Sequence, residues 1–234
     1  MTTDIDINLN PAQERAPAPP ERSGFGRVAG VSGIVFAAAI IVSQILVGGM
    51  PGAGDDAGAL REYFEDNRGP HQVGLVVVGL AIVPLILFAA GLVRSHRRTE
   101  RDGDGWSTAI GAFFVYAAAI YTVGLIIDAG LLMSYDSGVG DELLLTLWDV
   151  NVAATPMMIL GFGGAATAVA VGVFTQRTRP AWYGVLGLVG GISSILSIGT
   201  LVSDADAAAG LGFVMLPVFM LWVIATGVFL YREA

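Results

Sequence analysis

Asp128, Asp149 and Asn151 are the polar residues of this chain whose types and positions could carry chemistry. They stand at the edges of long uncharged stretches, where Asp128 and Asp149 flank an acidic loop that could hold a cation, or could serve as the carboxylate pair of a membrane enzyme if the two converge. The loop between them reads Asp136-Ser137-Gly138-Val139-Gly140-Asp141-Glu142, which offers the oxygen ligands that calcium prefers. Its spacing does not follow an EF-hand loop, so no metal is assigned. The histidines, His71 and His96, lie outside the uncharged runs, and there is no H-E-x-x-H motif. That argues against an intramembrane zinc protease and against axial haem ligation, and no cofactor is expected. The absence of cysteine removes disulfides, thiolate metal sites and cysteine nucleophiles. With no catalytic constellation left, the chain is not expected to be an enzyme.

The elements that must position these residues are plain from the charge pattern. Residues 28–54, 72–93, 105–127, 150–176, 180–203 and 207–231 contain no Asp, Glu, Lys, Arg or His. Crossing about 30 Å of hydrocarbon at 1.5 Å per residue takes about 20 residues. These runs hold 27, 22, 23, 27, 24 and 25, together 148 of 234 residues. The expected fold is all-α: a polytopic six-transmembrane-helix bundle with helices over about residues 28–48, 73–93, 106–130, 150–174, 182–202 and 210–231. One membrane domain, residues 27–234, follows a polar, proline-containing segment, residues 1–26, that reads as a disordered cytoplasmic tail. A mean hydropathy of +0.70 and 14% charged residues agree with this class. The net charge of -8 gives no support to nucleic-acid binding.

Arginine supplies every basic side chain, and ten of the 12 fall in the N-terminal segment, the second and fourth loops and the C-terminus. This bias predicts both termini in the cytoplasm, with the chain in the cell membrane. Twelve of the 20 acidic residues fall on the other side, which makes the outer face acidic. Asp128 lies 22 residues from Trp106, about 33 Å along a helix, and Asp149 and Asn151 lie 25 and 23 residues from Phe174, about 37 and 35 Å. All three are therefore expected at the outer interface. With no charge at the midplane, proton- or ion-coupled transport is disfavoured. A neutral-solute path along Ser193, Ser194, Ser197, Thr200, Tyr116 and Tyr121 is open, but plain bonding of these groups to helix carbonyls is favoured.

Packing devices are also legible. Gly164, Ala168 and Gly172 form one small-residue stripe and Gly187 and Gly191 another, and the two are expected to face each other in a hairpin. Homo-oligomerisation through the same glycines is the alternative. Pro84, Pro156 and Pro217 are expected to kink their helices. Leu60, Tyr63 and Phe64, at helical spacing among charges, predict a short amphipathic surface helix over residues 55–67.

Three short motifs support a family resemblance. They are Arg27-Val28-Ala29-Gly30-Val31-Ser32-Gly33, Asp149-Val150-Asn151 and Arg179-Pro180-Ala181-Trp182-Tyr183-Gly184-Val185-Leu186-Gly187. Through these the chain resembles a family of bacterial six-helix membrane proteins described only as a domain of unknown function. Members often carry a histidine where Asn151 stands. The resemblance implies the six-helix fold and no particular activity. The expected role is structural or partner-binding within the lipid bilayer, with a membrane protein or a second copy as partner. The alternative is a small transporter or channel for a neutral or weakly polar solute.

Overall fold

The computed structural model describes residues 24–52, 55–201 and 206–234, with the side chains of 200–215 set aside. The segment read as a disordered tail lies, up to residue 23, outside the described residues. The helices are α1 (Gly24–Val47), α2 (Ala57–Leu80), α3 (Ile82–Thr99), α4 (Trp106–Asp136), α5 (Asp141–Gln176), α6 (Ala181–Leu196) and α7 (Asp206–Glu233). No strand occurs among the described residues. Six spans are long and apolar enough to cross a membrane, with α2 and α3 forming one of them, Ala57–Thr99. The chain is an all-α, multi-pass membrane protein.

Helix length separates two regions. The 31 residues of α4 and the 36 of α5 reach about 46 and 54 Å, well beyond a hydrocarbon core of about 30 Å. Both run past α1 and α6 at the end of the bundle opposite the termini, and α2 rises with them. Residues 55–67 are accordingly not a separate surface helix. Asp56 caps α2, its Oδ1 accepting the Ala59 N–H at 2.9 Å, and the helix then continues through Pro70 toward the membrane. Leu60, Tyr63 and Phe64 are buried against Leu131 and Leu132 of α4 and Leu144 and Trp148 of α5. The amphipathic pattern was real, but the neighbouring helices, not water or lipid, cover its apolar face. The result is a helical cap with its own core. Arg68 pairs with Asp136 at 2.7 Å and Arg61 with Asp141 at 2.8 Å, so the acidic loop after α4 is tied to α2.

The three prolines sit differently in the hydrogen-bond ladder. Pro84 offers no N–H to Leu80, and the helix breaks there: the Ala81 N–H is shared between the Val77 and Val78 carbonyls at 3.1 Å each. Helices α5 and α7 run on through Pro156 and Pro217 without interruption. The fifth span, expected to stay α-helical to residue 202, tightens into a 3-10 turn at Ser197–Leu201. Ser194 Oγ bonds back to the Gly190 carbonyl at 2.6 Å and Ser197 Oγ to that of Ser194 at 2.7 Å, competing with the regular ladder.

Small residues set the helix crossings, but not the set expected. Gly187 and Gly191 do face α5: a Cβ added at Gly191 would stand 2.8 Å from the Gly163 carbonyl oxygen, and one at Gly163 2.9 Å from that of Gly191. The α5 partner is thus Gly163, one position before the stripe. Gly164 packs on Phe113 of α4, and Gly172 faces His96 and Trp106, because a step of one residue turns a helix by about 100°. A second reciprocal contact joins α1 to α7, where a Cβ at Gly227 would lie 2.6 Å from the Gly30 carbonyl oxygen. Backbone cannot yield there, so Gly227→Ala is expected to cost about 1–3 kcal/mol. Reversible unfolding in mixed micelles measures it, with Gly79→Ala, which has open space around its added Cβ, as control.

Candidate functional site

The site forms where the cap meets the membrane bundle. Tyr63 and His71 sit two turns apart on α2, so both face the same side of it. The His71 ring is 1% exposed and stands edge-on to Tyr63 and Phe64, at 5.9 and 5.3 Å between centroids. Burial at that level demands partners for both ring nitrogens. Nδ1 lies 3.1 Å from the Tyr63 hydroxyl, and Nε2 lies 3.0 Å from Oδ1 of Asp128 on α4. The Tyr63 hydroxyl also reaches the Val47 carbonyl oxygen at the end of α1, at 2.8 Å. One polar chain, Val47–Tyr63–His71–Asp128, therefore links three helices.

Asp128 has a second face. It lines a cleft of about 210 Å³ with Ser43 and Gln44 of α1, Tyr121 of α4, and Asn151 and Thr155 of α5. The cleft exists because the backbones of α1 and α5 stay apart among the described residues, the two helices touching through side chains such as Phe36 and Phe162. It continues inward into a cavity of about 230 Å³ that shares Ser43, Gln44, Val78, Tyr121, Thr155 and Met158. The inner part is walled by Phe36, Phe162, Phe219 and Met220. Phe162 stacks obliquely on Phe36 at 6.2 Å and on Phe219 at 5.3 Å, and the ring series continues through Trp222 to Tyr183. The arrangement combines a polar rim bearing one carboxylate with an aromatic floor.

Asp128 and Asn151, expected together, do share this cleft. Asp149 does not: it is exposed and absent from the lining, since it sits two residues from Asn151 and so points to another face of α5. The two aspartates are therefore not brought together as an acid–base pair. Of the polar residues considered for a solute path, Tyr121 lines the cleft while its hydroxyl donates to the Val78 carbonyl at 3.2 Å. Tyr116 is exposed beside Met157, Ser193 and Ser197 lie outside both linings, and the Thr200 side chain lies outside the described residues. His71 escaped the sequence reading, which left it at a helix entrance. The 57-residue separation from Asp128 carries no sequence signal; the two-turn spacing from Tyr63 was the available clue.

At the termini-bearing end, Arg179 is 5% exposed and holds α3, α6 and α7 together. Its Nε and Nη2 donate to Oε1 and Oε2 of Glu233 at 3.1 and 3.0 Å, and Nη2 also reaches Ser95 Oγ at 2.9 Å. Burial opposes its charge, but Tyr183 and Glu233 outweigh that burial and hold the guanidinium above its ordinary value. A pocket of about 360 Å³ beside it is lined by Arg94, Arg98, Thr99 and Phe25.

Fold and site together define a multi-pass helical membrane protein with a laterally placed cleft, polar at the rim and aromatic below. No family model, curated protein or solved structure matches the chain.

Proposed function

We propose that this protein is a non-catalytic, ligand-binding protein of a bacterial plasma membrane, with both termini in the cytoplasm and the cleft opening toward the outer face. The observation that carries the reading is the cleft between α1 and α5, whose rim offers Asp128, Asn151 and Gln44 and whose floor is aromatic. Such a concavity suits a small molecule with a polar head and an apolar body. The orientation rests on the arginine bias, and the acidic cap then faces outward.

The natural absence of cysteine makes the test simple. A single cysteine at Thr155, on the cleft rim, should react with a membrane-impermeant maleimide added outside intact cells, and small amphiphiles that occupy the cleft should slow it. The same label at Asp149, outside the lining, should react at an unchanged rate. If no member of a varied amphiphile panel protects Thr155→Cys, the binding reading fails. A cysteine added after Ala234 should react only in permeabilised cells. Passage of a neutral solute is the competing reading, favoured by Tyr121 and the other polar groups of the cleft. It requires the Phe36, Phe162 and Phe219 floor to open, and solute flux into proteoliposomes above that of empty vesicles would support it.

A further inference from the structure

The ligand class follows from counting charges and hydrogens at the cleft, and it rests on the reading above that the cleft is the binding site. Among the described residues lining the two connected cavities, Asp128 is the one charged side chain. No arginine or histidine shares the lining, and the nearby cap arginines Arg61 and Arg68 are engaged by Asp141 and Asp136. The Asp128 carboxylate bonds His71 on one side and presents its other side to the cleft, where a positive group complements it. Asn151 and Gln44 add amide oxygens at the same rim, and Tyr121, Phe36, Phe162 and Phe219 add ring faces that attract cations. An ammonium N–H can be shared among the three oxygens while an apolar body fills the floor.

His71 already stands on the carboxylate, so its hydrogens decide how a cation could enter. The chain begins and ends on groups that only accept, the Val47 carbonyl and the Asp128 carboxylate, with three contacts of 2.8, 3.1 and 3.0 Å between them. Each contact needs one hydrogen. The Tyr63 hydroxyl brings one and a neutral imidazole brings one, so all three contacts carry a hydrogen only when the pair holds one further proton. With it, Tyr63 donates to Val47, Nδ1–H to Tyr63 and Nε2–H to Asp128, and the His71–Asp128 pair is neutral overall. Among the described residues no other titratable group enters this chain. On α1 the facing groups are Ser43 and the Val47 carbonyl, on α2 Tyr63, on α4 Tyr121 and Tyr135 beyond Asp128, and on α5 the neutral Asn151, with Asp149 exposed outside the lining.

We propose that the cleft binds a protonated amine with an apolar body at Asp128 and releases the extra proton of the His71–Asp128 pair as it does so. The ammonium takes over part of the charge that His71 was neutralising. When the proton leaves, Tyr63 turns its hydrogen from Val47 to Nδ1, Nε2–H remains on Asp128, and the site exchanges one cation for one proton. By linkage, the same coupling makes acid weaken amine binding.

The test uses the full chain in lipid nanodiscs, with phenethylammonium and its uncharged analogue 2-phenylethanol as probes. Calorimetry in two buffers of different ionisation enthalpy counts the protons released. The ammonium should bind at least about tenfold more tightly than the alcohol, equivalent to about 1.4 kcal/mol. Up to one proton should be released, and affinity should fall by up to tenfold per pH unit toward acid. Asp128→Asn, which can still bond His71, should erase both the preference and the proton release. Equal binding of amine and alcohol, abolished by the cleft-filling Ala154→Trp, would overturn the cation assignment and leave the cleft as a binding site. Preferred amine binding with no proton released between pH 5 and 9 would overturn the exchange. Binding of neither probe, or binding indifferent to Ala154→Trp, would overturn the proposal together with the cleft reading.

Discussion

Arg179→Ala is expected to lower the stability of the bundle by about 3 kcal/mol. The guanidinium is 5% exposed, grips both oxygens of Glu233, bonds Ser95 and stacks over Tyr183 and Phe229 at 5.3 and 5.6 Å. Truncation leaves the Glu233 carboxylate without its charged partner, with the Ser95 hydroxyl at 2.9 Å remaining on it. Because Glu233 is 42% exposed, water recovers part of the loss, which places the effect at the low end of the range for broken buried pairs. Lysine keeps the charge but not the planar fork or the stacking, so Arg179→Lys should restore less than half. The intrinsic fluorescence of Trp222 and Trp182, which lie on the same ring series, provides the readout during SDS titration. A variant within about 1 kcal/mol of the parent would mean that this network does not hold α3, α6 and α7 together.

Phe64→Ala should cost about 3–5 kcal/mol, although the residue lies outside the transmembrane core. Its location explains the size. Within lipid, exchanging one apolar neighbour for another gains little, whereas the cap extends beyond the hydrocarbon and its core is built against water. Phe64 is 0% exposed and packs on Tyr135 at 5.2 Å as well as on His71. Its loss should therefore loosen the cap and unseat His71, weakening ligand binding along with stability. Ile45→Ala is the matched control: at 75% exposed it faces lipid on α1 and should change stability by less than about 0.5 kcal/mol. Comparable losses for the two variants would remove the distinction between a water-facing cap and a lipid-facing bundle.

The residues differ in how much of this could be read from their order alone. Each span announced itself, because an uncharged run of more than 20 residues has few other physical solutions. Pro84, Pro156 and Pro217 look alike in the sequence, each a missing N–H, yet of the three it is Pro84 before which the regular ladder is interrupted. Leu60, Tyr63 and Phe64 announced an apolar face, but local spacing does not state what covers it. The choice of Gly163 over Gly164 as the α5 partner of Gly191 was similarly hidden, because both lie in a run of small residues and the rotation of α5 is set by its packing on two neighbours at once. Asn151 and Asp149 illustrate the same limit: two positions apart, one enters the cleft and the other faces solvent.

By itself, the sequence determined the solvent of this protein. Charge placement dictates insertion and the positions of the spans, since a bare charge in hydrocarbon is too costly to tolerate. It also set Asp128 directly after an uncharged run, residues 105–127. Tertiary structure decided what that carboxylate does. Only the packing of α2 against α4 brings His71 to it across 57 residues, and only the gap between α1 and α5 gives it an open side. The physical reason is range: hydrophobic insertion and helix formation act within about 20 consecutive residues, whereas a hydrogen-bond chain and a cleft depend on the azimuth of each helix, which is set by all of its neighbours together.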